Sequence, residues 1–140
     1  EPALPPLHQE AFDALSRNDL PGAKAAYQRA LAEAPADADA AAGLAQVELL
    51  ERVYALDADQ ARRAAAEDPE SVERALDVAD LDISGGHIED AFVRVLGLYS
   101  AASDEDKERL RERLLTYFTI VGQAAPEVKK ARAHLTSLMF

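Results

Sequence analysis

Three histidines, a cluster of aspartates and a pair of glycines are the residues whose types could do chemistry. Histidine serves as general base or metal ligand near neutral pH. His8, His87 and His134 are far apart, however, and none has a second ligand at a short fixed spacing; all three are expected at the surface. The segment SGGHIEDA sets Gly85 and Gly86 before a helix, an arrangement that can hold phosphate. It lacks the Walker lysine, the G-x-G-x-x-G spacing and a preceding strand, and a helix–helix turn accounts for it. DVADLD places Asp77 and Asp80 one helical turn apart with Asp82 nearby. Paired carboxylates can bind a metal or transfer protons, but the calcium-loop spacing is missing and a solvated acidic helix face is expected. No Ser/His/Asp or Cys/His arrangement is suggested. The reading therefore assigns no catalytic residue, no metal and no cofactor to this chain.

The elements that would position such residues read as helices throughout. Hydrophobic residues make up 49% of the 140 residues, charged residues 29% and aromatics 6%, with no Trp and no Cys. Abundant alanine favours helix and close helix–helix approach. The net charge of −11 and pI near 4.6 argue against nucleic acid and anionic membrane surfaces, and no apolar run approaches the roughly 18 residues that span a bilayer. The opening EPALPP reads as a linker end, and a first residue other than Met reads as a piece of a longer protein. Amphipathic segments then alternate with turn signals. Helices are expected over about 7–17, from Asp19 as N-cap to before Pro35, over 37–54, from Asp57 to near Pro69, over 71–83, 88–100 and 103–121, and from Pro126 onward. Asp57 with Gln60 and Ser103 with Asp106 resemble capping boxes, and Gly122 suits a C-cap. Short loops make neighbours antiparallel.

Pro35 and Pro69 each close a helix pair and lie 34 residues apart, the tetratricopeptide period. The first unit carries Ala23, Tyr27, Ala30 and Pro35, in which small residues let two helices approach and the aromatic fills the gap between them. The second keeps Leu44, Ala45, Ala64 and Pro69; the third keeps Ala79, Gly86 and Ala91, with Ser103 where proline is expected. The pair 104–140 no longer fits the pattern. The fold class is all-α: eight helices in four antiparallel pairs, stacked as a short right-handed tetratricopeptide-repeat solenoid. Residues 1–6 form a linker end and 7–140 a single helical domain, with three repeats over 7–103 and a closing pair.

Such stacks bind partners on a concave face. The repeat register puts His8, Phe12, Leu15, Asp39, Gln46, Leu49, Leu50, Glu73, Leu76, Asp80 and Ile83 on it; core packing is the alternative for Leu49, Leu50 and Ile83. Tetratricopeptide domains that clamp acidic chaperone tails use Lys, Arg and Asn at such positions. This set has none, so a basic or apolar segment is the better-matched ligand.

The order of segments resembles the helical tail of bacterial chaperedoxins. LPPLHQEAFDALSRNDLPGAKAAYQRALAEAP is similar to its start, ISGGHIEDAFVRVLGL to its middle, and DKERLRERLLTYFTIVGQAAPEVKKARAHLTSLMF to its close. The resemblance covers nearly the whole chain, and no single motif in it is diagnostic. It implies a thioredoxin fold preceding this chain in a cytoplasmic co-chaperone, a holdase that binds unfolding protein clients and passes them to the chaperonin, with the terminal helix implicated in docking. Two alternatives stay open: the substrate-selecting tail of a thioredoxin-type disulfide oxidoreductase, which an upstream C-x-x-C would favour, and a repeat scaffold unrelated to chaperones.

The last helix repeats Val128, Ala131, Leu135 and Leu138 at helical spacing, a stripe expected to face the preceding helix. Met139 and Phe140 exceed what that stripe needs. With Lys130, His134 and Ser137 they form the expected protein-binding tail.

Overall fold

The computed structural model describes residues 3–140, which form eight helices and no strand. They are α1 (Pro6–Ser16), α2 (Leu20–Glu33), α3 (Ala38–Tyr54), α4 (Ala58–Glu67), α5 (Val72–Ser84), α6 (Ile88–Tyr99), α7 (Asp104–Val121) and α8 (Pro126–Met139). The all-helical repeat class expected from the periodicity is the class observed. Of the expected linker, Glu1 and Pro2 lie outside the described residues. Pro6 is already helical, because a first-turn proline gives up no intrahelical hydrogen bond and is preset in φ.

The ends are set by short side chains. Asp19 accepts from Gly22 N at 2.9 Å, Asp57 from Gln60 N at 3.0 Å, Ser71 from Arg74 N at 3.2 Å and Ser103 from Asp106 N at 3.2 Å. Each satisfies one of the first-turn N–H groups that a helix leaves unpaired. Gly122 closes α7 at φ 112°, a conformation that side-chain-bearing residues rarely adopt.

Where the sequence reading treats 7–140 as one domain, contacts cluster in two compact units, one ending at Glu51 and the other running from Arg52 to Phe140. In the first unit α1 and α2 pack through alanines: Ala11, Ala14, Ala23, Ala26 and Ala30 are all buried. Ala14 and Ala23 join Val47 of α3 in a small core, with Leu15, Leu20 and Tyr27 against it. Tyr27 of α2 stands against both neighbouring helices, packing on the core of Ala14 of α1, Ala23 of α2 and Val47 of α3. It is half-buried, its ring lies over Gly43 of α3, and His8 meets it edge-on with centroids 6.2 Å apart. Partial burial raises the pKa of its phenol.

In the second unit α5 and α6 form a hairpin, with α7 packed on both and α8 on α6 as well as α7. Leu110, Leu114, Tyr117, Phe118 and Val128 are fully buried beside Phe92, Val95 and Leu96.

Two helical glycines make opposite predictions. A Cβ on Gly43 would lie 2.3 Å from Cζ of Tyr27, so Gly43→Ala is expected to destabilise by about 1–3 kcal/mol through overpacking, despite alanine's higher helix propensity. A Cβ on Gly97 meets nothing within 4 Å, so Gly97→Ala is expected to stabilise by about 0.5–1 kcal/mol. Urea denaturation midpoints moving in the same direction for the two variants would contradict this pair.

Candidate functional site

The DVADLD segment lies on α5, and the structure corrects the expectation of a solvated acidic face. Asp80 is 1% exposed and Asp82 4%. Oδ2 of Asp80 accepts from Arg52 Nε at 2.8 Å and from Arg113 Nη1 at 2.9 Å, and Oδ1 from Tyr117 Oη at 2.6 Å and Arg52 Nη2 at 3.2 Å. Four donors occupy the roughly four lone-pair positions of a carboxylate, which leaves none for a substrate. Asp82 accepts from Arg62 Nη2 at 3.0 Å. Burial, and then the neighbouring Asp80 and Glu73, push the half-buried Asp77 carboxyl above its usual range. Burial first and the Asp80 charge second raise the Tyr117 phenol. This is a closed ion cluster holding the end of α3, α5 and α7 together within the second unit, not an acid–base pair open to a ligand. Arg52, Arg113 and Tyr117 escaped sequence reasoning because they stand 28, 33 and 37 residues away from Asp80. The legible signal was Asp80 itself, standing between Leu76 and Ile83 on an apolar stripe where only a paired carboxylate can be buried.

The other expected groove residues divide by burial. Leu49 and Ile83, for which core packing is the alternative, are buried, and so is Leu76. In the first unit Phe12 is 56% exposed, Gln46 is exposed, and Leu15 and Leu50 are half-buried. His8, expected at the surface, is instead part-buried, with Nε2 2.6 Å from Asp37 Oδ2. The Asp37 carboxyl is held below its usual range, first by the Ala40 N–H and then by His8. His87 and His134 are exposed. Among the described residues no cluster of three His, Cys, Asp or Glu has the geometry to hold a metal, and no helix is long and apolar enough to cross a membrane.

The tail separates sharply into two parts. Val128, Ala131 and Leu135 are buried and Leu138 is half-buried. Beyond them Met139 is 42% and Phe140 98% exposed. Lys130, His134 and Ser137 share one exposed face of α8, where Lys130 stands 3.8 Å from Glu89 and Ser137 Oγ donates to the His134 carbonyl at 2.6 Å. Lys130 and His134 also line an apolar groove with α6, which separates them from Met139 and Phe140.

Two relatives described as uncharacterized proteins, one from Mycobacterium tuberculosis (strain H37Rv) and one from Mycobacterium bovis, are each 29% identical over 135 residues. The alignment covers 96% of this chain and 44% of each relative, so the chain spans less than half the length of the curated relatives it matches. No solved structure matches it significantly. The family model described as tetratricopeptide repeat matches residues 51–140, which include the whole second unit. The match includes the closing pair that residue pattern alone sets outside the repeat. The chain belongs to the tetratricopeptide-repeat family, whose stacked helix pairs serve as protein–protein interaction modules.

Proposed function

We propose that this chain is the protein-interaction part of a thioredoxin-like co-chaperone of the chaperedoxin kind, a holdase that receives unfolding clients and docks on the chaperonin through the end of α8. The observation that carries the reading is the 98% exposure of Phe140, directly after a helix whose apolar stripe is already buried. A large apolar side chain held in water contributes little to the fold and suits an interface anchor. Met139 beside it can adapt to an irregular partner surface. The relatives are more than twice as long as the matched region, which leaves room for a thioredoxin domain elsewhere in such a protein. The acidic charge disfavours nucleic acid and acidic peptides as partners.

The test is a full-length protein carrying Met139→Ser and Phe140→Ser, compared with wild type in thermal melting and in co-sedimentation with the chaperonin. The melting temperature is expected to stay nearly constant, since exposed side chains add little stability, while co-sedimentation falls. Leu135→Ala should behave in the opposite way, losing about 2–3 kcal/mol of stability through a cavity while each folded molecule still co-sediments. Unchanged co-sedimentation of the doubly substituted protein would remove the docking role.

A further inference from the structure

We infer that the groove between α6 and α8 is a second docking site, distinct from the Met139–Phe140 end, and that it receives a short helical segment with bulky apolar side chains on one face and Lys or Arg at one end. The groove has a volume of about 490 Å³ and is lined by Phe92, Val93, Leu96 and Gly97 of α6 opposite Ala131 of α8. Val93 is 65% exposed, an apolar side chain turned to water on a helix whose own core face is already covered. Gly97 contributes an open wall: a side chain there would meet nothing, so the fold itself does not require glycine at this helical position, whereas a close-approaching partner does. The groove follows about two turns of α6, matching a helix laid along it, as in helix-in-groove recognition.

The charge at one end selects the partner. The first turns of α6 and α8 lie together there, and Glu89 and Glu127, which line the groove, also line an adjoining cavity with Asp90. Acidic residues in a first turn are favoured by the helix dipole, so the carboxylates alone would mark nothing. Here they stand at the mouth of an apolar channel, and among the described residues only Glu89 of the three has a cation, Lys130 at 3.8 Å on an exposed side chain. Asp90 and Glu127 face solvent. A basic residue entering beside them gains favourable charge, and an acidic one is repelled. This inference does not depend on what the end of α8 binds.

The experiment is selection of a phage-displayed library of random 16-residue peptides on the 140-residue chain and on its Val93→Glu variant, with circular dichroism confirming that both are folded. Peptides retained by wild type are expected to carry apolar residues at helical spacing with Lys or Arg toward one end, and to lose about tenfold or more in affinity on Val93→Glu and on Gly97→Leu. Asp90→Lys combined with Glu127→Lys should weaken them to a similar degree, and added salt should weaken wild-type binding. Failure to enrich any peptide, enrichment of acidic peptides, or equal retention by Val93→Glu would overturn the proposal. So would sedimentation showing that the chain pairs with itself through this face, since the occupant would then be a second copy. Met139→Ser with Phe140→Ser should leave this binding intact, which separates the site from the docking end.

Discussion

Asp80→Ala is expected to lower the unfolding free energy by about 3–4 kcal/mol, because it strips the common acceptor from two guanidinium groups and a phenol at once. The carboxylate is 1% exposed and takes donors from Arg52, Arg113 and Tyr117 at distances between 2.6 and 3.2 Å. The side chains of Arg52 and Arg113 retain 32% and 24% exposure, so both can turn toward water, which holds the cost at the low end of what breaking a buried pair entails. Tyr117 has no such route: it is fully buried and its hydroxyl would lose its acceptor. Tyr117→Phe should therefore cost less in the Asp80→Ala background than in wild type, and a double-mutant cycle in urea should give a coupling of about 1–2 kcal/mol. Additive effects would mean that the cluster is not a unit. The loss should change little between low and high salt, since a buried cluster is weakly screened.

Phe118→Ala is expected to cost about 3–5 kcal/mol, the range for truncating a large aromatic in a packed core. The ring is fully buried, meets Phe92 edge-on with centroids 5.4 Å apart, and carries the Arg132 guanidinium 5.0 Å from its centre. It thus joins α6, α7 and α8 at one point, and its removal should loosen the seat of α8. Phe118→Leu keeps much of the volume and should cost roughly half as much. Thermal melting of the two variants decides the matter. A loss below about 1 kcal/mol for Phe118→Ala would show that the closing pair is held elsewhere. Peptide binding in the α6–α8 groove should fall along with stability in Phe118→Ala, because Phe92, the ring's partner, lines that groove.

Local chemistry made much of this molecule legible in sequence. Asp19, Asp57, Ser71 and Ser103 begin helices where short polar side chains precede apolar periodicity. Gly122 and Pro126 end one helix and open the next, and the buried stripe of Val128, Ala131 and Leu135 follows from spacing alone. These features depend on residues within a few positions of one another, so a linear reading reaches them. The fate of DVADLD, the seat of Tyr27 and the groove beside Val93 do not. Whether Asp80 is solvated or buried depends on cations 28 and 33 residues away, and the same acidic letters describe either outcome. Tyr27 meets His8 of α1, as the repeat pattern suggests, and also lies over Gly43 of α3, where a helix glycine leaves room that no periodicity reveals. The sequence leaves Phe140 open between core and surface for a related reason. Val128, Ala131 and Leu135 are buried, and only the assembled helices show that Phe140 stays in water.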